Sequence, residues 1–267
     1  MKVNFWLNKT VIITGATSGL GKAITKILLE KGAKVVAISR SEESLKGLKN
    51  ELVSFAENLF LIKADVTFKK DCKYIFKTVE DELKTADLLI NNAGVGLRCE
   101  VEEIDELDLR KVFDTNFFGA FYMMQYGISF FKRQGKGTIV NICSLGVKRP
   151  VPFTAGYTAS KAALSTLADA ARLELKKDGI SVLCAYPGSI STDFRKNALG
   201  KPYPENEVRL SRLLPEIAAK RIIRGIEKGK IEIYTSKKDY LFILFTRLFP
   251  RLSDRVVEKA FAKNRNN

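Results

Sequence analysis

Thr10-Val11-Ile12-Ile13-Thr14-Gly15-Ala16-Thr17-Ser18-Gly19-Leu20-Gly21 carries a β-branched run straight into a loop with three glycines. The run reads as a buried strand, because branched side chains pack well on a pleated surface. Apolar residues then recur at helical spacing through 20–31, Gly32 stops that helix, and Lys34–Ser39 is the next apolar run. A strand, a helix and a second strand in close succession make a βαβ unit.

The alternation continues to residue 234, with a helix near 41–56, a strand at 59–64, a helix near 68–84, a strand at 87–90 and one or two helices between 100 and 132. A strand at 137–143, a long helix at 154–177, a strand at 180–186, a helix at 215–228 and a last strand at 231–234 complete it. Such alternation predicts an α/β fold, a doubly wound Rossmann-type parallel sheet with helices on both faces. The one long irregular stretch, 188–214, holds Pro202 and Pro204 and has the length of a lid or a disordered segment.

Between the first strand and the first helix, glycine supplies positive φ and lets main-chain N–H groups approach a ligand, and the helix N-terminus adds about +0.5 charge. Thr14 to Gly21 therefore suit a dinucleotide pyrophosphate, although the spacing is Gly-x-x-x-Gly-x-Gly rather than Gly-x-Gly-x-x-Gly. The second strand ends Ala37-Ile38-Ser39-Arg40, with no carboxylate for the ribose hydroxyl of NAD(H) and a guanidinium beside Ser39. Charge favours NADP(H) over NAD(H) there, with Arg40 as an ordinary exposed first-turn residue the alternative.

With 267 residues and 46% hydrophobic content the chain suits one large domain, 1–236, followed by a tail, 237–267. No run of apolar residues is long enough to span a bilayer, and residues 1–9 lack the apolar core of a signal peptide. A cytoplasmic location, or the cytoplasmic face of a membrane, is expected. Cys72, Cys99, Cys143 and Cys184 are scattered and histidine is absent, so reduced thiols and no metal site are expected. Without histidine, acid–base chemistry near pH 7 falls to Tyr, Lys, Cys or a carboxylate. Tyr157 and Lys161, in Tyr157-Thr158-Ala159-Ser160-Lys161, share a helix face at i, i+4, where an ammonium favours the phenolate. The net charge of +15 is uneven, since 201–267 holds 16 Lys or Arg against 8 Asp or Glu. It leaves open nucleic acid, anionic lipid, an acidic carrier protein or plain solvation, and no nucleic-acid motif accompanies it.

From about Asn8 to Tyr234 the chain resembles the short-chain dehydrogenase/reductase family. Its glycine motif matches Thr14, Gly15, Thr17, Ser18, Gly19, Leu20 and Gly21; its adenine-contacting Asp matches Asp65, followed by Val66; and its Asn-Asn-Ala-Gly matches Asn91, Asn92, Ala93 and Gly94. The catalytic tetrad implied is Asn116, Ser144, Tyr157 and Lys161, with Ser144 13 positions before Tyr157. Tyr157 would protonate a substrate oxygen and Ser144 would stabilise it. Lys161 would lower the Tyr157 pKa and bind the nicotinamide ribose, and Asn116 would hold a water leading to Lys161. Pro187 and Gly188 match the motif after the sixth strand, which places Ile190 and Thr192 at the nicotinamide carboxamide. The activity implied is hydride transfer between NADP(H) and a carbonyl or secondary alcohol. The alternatives are a 3-oxoacyl-carrier-protein reductase and a non-catalytic NADP-sensing binder.

Substrate contacts are expected in 95–99, 145–154 and the lid at 189–214. The lid mixes Phe194, Leu199 and Tyr203 with Arg195, Lys196, Lys201, Arg209 and Arg212, which suits an apolar substrate with an anionic head or a solvated loop. The tail run 240–250 is apolar and flanked by Lys237, Lys238, Arg247, Arg251 and Arg255. Two readings stand: peripheral attachment to an anionic membrane surface, or packing over the cleft or in the interface of a homo-oligomer, a dimer or tetramer. The tail is similar to those of lipid- and steroid-handling members of the family.

Overall fold

The computed structural model describes residues 4–202 and 213–261. Its first half runs β1 (Thr10–Thr14), α1 (Gly19–Glu30), β2 (Lys34–Ser39), α2 (Glu42–Glu51), β3 (Leu59–Lys63), α3 (Lys69–Leu83), β4 (Leu88–Asn91), a two-residue β5 (Leu97–Arg98), α4 (Glu106–Phe113) and α5 (Ala120–Gln134). The second half adds β6 (Gly137–Ile142), α6 (Ala155–Glu174), β7 (Ile180–Tyr186), a two-residue β8 (Leu199–Gly200), α7 (Pro215–Glu227), β9 (Glu232–Tyr234), α8 (Lys237–Leu248) and α9 (Pro250–Phe261).

Seven strands form one parallel sheet in the order β3-β2-β1-β4-β6-β7-β9. Successive side chains of a strand point to opposite faces, so β1 feeds two cores. Val11 and Ile13 pack with Ile24 and Leu28 of α1, Leu48 of α2 and Ile222 of α7. Ile12 packs on the other face with Phe76 of α3, Met123 and Phe131 of α5 and Leu164 of α6. Burial on both faces is why the strands read as continuous apolar runs.

The structure departs from the sequence expectations where local signals are weak. The helix near 41–56 is α2 followed by 3₁₀ turns at Val53–Asn58 with no buried residue to hold a longer helix in place. The long helix stops at Glu174, and a 3₁₀ turn at Lys176–Asp178 leads to Gly179 at φ 70°. The stretch 188–214 is not wholly irregular, because β8 pairs in parallel with β5, Leu97 opposite Leu199. Two residues are too few to show any periodicity. Tyr203, Arg209 and Arg212 of the lid lie outside the described residues. The tail forms two helices that pack on the domain, with Ile243 and Ser253 buried, Tyr240 against Tyr234, and Asp254 paired with Arg149 at 2.5 Å.

At the start of β6, a Cβ on Gly137 would overlap the ring of Phe131, which is fully buried and has nowhere to move. Gly137→Ala is expected to cost ~1–3 kcal/mol through overpacking. A lowered urea midpoint with an unchanged m-value measures it.

Candidate active site

The chain leaves β1 toward β2 on one side, and the sheet continues through β4 on the other, so the crevice of this fold opens at the carboxyl ends of β1 and β4. Those two ends are tied together. Asn92 Nδ2 donates to the carbonyls of Thr14 and Gly15, both at 3.0 Å, and Thr14 Oγ1 accepts from the N–H groups of Asn92 and Ala93, both at 3.0 Å. Gly15 and Gly19 adopt φ of 62° and 48°, and a Cβ on Gly21 would overlap the Gly15 carbonyl oxygen. Only glycine permits that turn. Ser18 precedes α1 without a side-chain cap hydrogen bond, and the first turn, which includes Leu20, contains no acid. An anion is the natural partner of such a helix start, so these residues fit a dinucleotide pyrophosphate.

Around this cradle, Thr17 Oγ1 donates to Ser39 Oγ at 3.3 Å, and Arg40 next to it is exposed. Asp65 Oδ1 accepts from Thr67 N and Oγ1, at 3.0 and 2.9 Å, which fixes the carboxylate at the end of β3. Val66 is buried against Gly119, where any Cβ would collide with it. On the far side, Leu145 N donates to Pro187 O at 2.9 Å, and Gly188 N donates to Thr235 Oγ1 at 3.3 Å. Ile190 bridges to Leu213, and Thr192 Cγ2 would lie 3.1 Å from a Cβ on Gly19. The segment after β7 therefore returns to the glycine loop.

Lys161 projects from α6 into the protein, 3% exposed, and its Nζ donates to the Ile142 carbonyl at 2.8 Å, the last residue of β6. Burial pulls its pKa from 10.5 down to about 8, against a smaller opposing effect of Cys143. Ser144 follows β6 by two residues. Its Oγ accepts from Gly146 N at 3.1 Å and so caps the short turn at Leu145–Val147, which leaves its own proton to be donated elsewhere. A Cβ on Gly94 would sit 3.1 Å from Asn116 Oδ1 and 3.4 Å from Lys161 Nζ. Gly94 thus lets both side chains converge. Asn116 lies not in an ordinary helix but in a π-helical turn, Asp114–Gly119, between α4 and α5. Its Nδ2 donates to Val95 O and Ser160 Oγ, at 2.9 and 3.0 Å, and its Oδ1 accepts from Val95 N at 2.8 Å. Both donors are engaged, so its side chain can offer a water only a remaining Oδ1 lone pair.

Tyr157 is half-buried, with the Phe194 ring edge-on at a centroid distance of 5.7 Å. Sequence reasoning passed over Ser160, fully buried, which donates to the Tyr157 carbonyl at 2.7 Å and accepts from Asn116. Its signal was helical spacing three residues after Tyr157. Arg98 was also missed. It is 5% exposed, donates to Pro202 O at 3.1 Å and lies 4.8 Å from the Phe153 ring centroid, so it ties the lid to two of the expected substrate loops. The described lid cations are engaged with neighbours: Arg195 with Ser189, Lys196 with Asp193 and Lys201 with Glu103.

A phosphate cradle at a sheet crevice, with a tyrosine and a buried lysine beside it, is the arrangement of a nicotinamide-dependent oxidoreductase. The chain belongs to the short-chain dehydrogenase/reductase family, whose short chain dehydrogenase model matches residues 9–202. An uncharacterized oxidoreductase of Bacillus subtilis, YxnA, is 31% identical over 97% of this chain and 74% of its own. An 11-beta-hydroxysteroid dehydrogenase-like protein of Arabidopsis thaliana is 30% identical over 95% of this chain and 82% of its own. Among solved structures, a short-chain dehydrogenase of Burkholderia cenocepacia in complex with NADP matches with a TM-score of 0.79, 24% identity and coverage of 94% of this chain and 98% of its own. One from Burkholderia phymatum in complex with NAD matches with a TM-score of 0.84, 21% identity and coverage of 93% and 96%. At those identities the likeness is one of fold. The protein is an NAD(P)-dependent oxidoreductase acting on a small molecule.

The depressed Lys161 pKa has a thermodynamic sign. Between about pH 8 and 10.5 the unfolded chain still holds the proton that the folded one has lost, so this group's contribution to stability rises with pH across that window. Lys161→Met removes the effect. The stability difference, native minus variant, is expected to rise by ~3 kcal/mol from pH 7 to above 10.5, read as urea midpoints at both ends.

Proposed function

We propose that the protein is an NADP(H)-preferring reductase that transfers a hydride between the nicotinamide and a carbonyl or secondary alcohol of an apolar substrate. The observation that carries it is the convergence of Asn116 and Lys161 on Gly94, with Lys161 tied to the end of β6 and Ser144 two residues beyond. When bound, the cofactor supplies or accepts the hydride.

In the reducing direction the Tyr157 hydroxyl gives its proton to the carbonyl oxygen as charge develops there. The Ser144 hydroxyl donates to the same oxygen, and two aimed donors stabilise an oxyanion better than water does. Lys161, still mainly protonated at pH 7, favours the Tyr157 phenolate left behind. Asn116 and Ser160 hold the α6 turn that carries both groups, and the free lone pair on Asn116 Oδ1 is the place for a water that returns a proton to Lys161. The glycine loop from Thr14 to Gly21 takes the pyrophosphate, Asp65 and Val66 the adenine, Asn92, Ala93 and Gly94 the adjoining ribose side, and Pro187, Gly188, Ile190 and Thr192 the carboxamide.

Arg40 supports the cofactor preference, since it stands exposed beside Ser39, and position 39 carries no carboxylate to take up the ribose hydroxyl of NAD or repel a 2′-phosphate. Phe194 over Tyr157 supports an apolar substrate, as does the engagement of the described lid cations with neighbouring groups. Residues 1–236 form the catalytic unit, working as a homo-oligomer in the cytoplasm, and the tail from 237 attaches it peripherally to a membrane face.

Tyr157→Phe is expected to keep NADPH affinity within a few-fold while turnover falls by orders of magnitude. Fluorescence titration of NADPH and its oxidation with long-chain ketones, aldehydes, 3-oxoacyl thioesters and steroids measure the two. Retained turnover would remove Tyr157 as the acid, and silence of the native protein across the panel would favour a cofactor-sensing role. Arg40→Glu should invert the preference, lowering kcat/KM for NADPH by ~10–100-fold, the worth of one charge-assisted pair replaced by a repulsion, with NADH little affected.

A further inference from the structure

Beyond the crevice, α7, β9 and the start of α8 enclose an open groove of about 760 Å³. Arg221 and Arg224 line it from α7 and Lys228 from the residue just after it, Lys230 from the turn before β9, and Lys237 and Lys238 from the first turn of α8. Among the described residues no carboxylate lines it. Asp239, which follows Lys238, has its Oδ2 where it would lie 2.8 Å from a Cβ on Gly188, and it attracts Arg221. Arg221 donates to the Thr235 carbonyl, while Arg224, Lys228, Lys230, Lys237 and Lys238 form no ion pair among the described residues. Asp239 offsets part of the charge of Arg221, while the other five cations around the concavity repel each other, and an anion entering there relieves the repulsion.

The helix that leaves the groove says what carries the anion. α8 buries Ile243 and Thr246 against the domain, yet its opposite line, Leu241, Leu244 and Leu248, is 62%, 37% and 73% exposed. Lys237 lies on that same exposed line and Arg247 at its edge. An apolar ridge running out of a cationic groove matches a phospholipid, acyl chains along the ridge and phosphate in the groove. A second copy of this chain fits poorly, because a two-fold contact would set one cationic groove against the other.

We propose that this groove is a binding site for the phosphate headgroup of an anionic phospholipid, resting on the peripheral attachment proposed for the tail. The test uses the full chain, vesicles of phosphatidylcholine with and without phosphatidylglycerol, and monomeric dihexanoyl-phosphatidylglycerol below its micellar concentration. The native protein should sediment with the mixed vesicles only, and should bind the monomeric lipid by calorimetry. The triple variant Arg224→Gln, Lys228→Gln, Lys238→Gln changes exposed side chains and should leave the unfolding midpoint in place. Its affinity for both lipid forms should drop on the order of a hundredfold, from ~1 kcal/mol per cation at an anionic surface. A triple variant on distant helices, Lys49→Gln, Lys73→Gln, Lys77→Gln, removes equal charge and should bind as the native protein does.

Groove and distant variants that weaken equally would reduce the effect to net charge and overturn the site. So would a groove variant that binds like the native protein, or one whose only change is a smaller oligomer in sedimentation velocity, which would make the groove an interface between copies. Binding of the monomeric lipid without vesicle sedimentation keeps the site and removes the membrane attachment. Absence of both removes the two together.

Discussion

The seam between β1 and β4 is the constraint on which the rest depends. Two parallel strands in one sheet need no particular angle between the loops that follow them, yet here one asparagine side chain and one threonine hydroxyl join the loops with four hydrogen bonds. Buried amide and hydroxyl groups must be satisfied, so each group that closes the seam is also a group that would be costly to leave open. The seam holds the glycine loop at the start of α1 and the turn that ends in Gly94 in one rigid piece. Everything proposed for the cofactor and for proton transfer is built from those two loops outward.

The second organising cost is the buried ammonium of Lys161. Desolvating a charge is unfavourable, and the surroundings offset only part of it: one carbonyl from the end of β6, and the dipoles around Gly94. The residual penalty appears as a pKa brought to about 8, close to the range where proton transfer at neutral pH is efficient. The same logic explains the π-helical turn at Asp114–Gly119. An extra residue in the turn rotates Asn116 inward, onto the backbone of Val95 and the hydroxyl of Ser160, and its amide stiffens the helix turn that carries Tyr157 and Lys161.

Legibility in the sequence followed the range of the interaction. Tyr157 and Lys161 were visible because helical spacing alone puts them on one face, and the glycine loop because positive φ restricts residue type. The β-branched strands were visible because burial on both faces leaves long apolar runs. Ser160, Arg98 and the β5–β8 pair were not. Ser160 acts only because Asn116 reaches it from 44 positions away, and Arg98 because Pro202 and Phe153, both far downstream in the chain, meet around it. The lid cations illustrate the converse, since the sequence shows charge but not that Glu103 reaches Lys201.

From the sequence by itself came the α/β alternation, the phosphate-binding turn, the lack of an acid at the end of the second strand, and the tyrosine–lysine pair, all set by local sterics, periodicity and residue chemistry. Tertiary structure alone decided that Lys161 is buried rather than on a solvated helix face, that Asn116 is turned inward, and that the tail's outer ridge begins in a cationic groove. Those outcomes depend on which distant groups share a small volume, and desolvation and charge repulsion act through space, not along the chain.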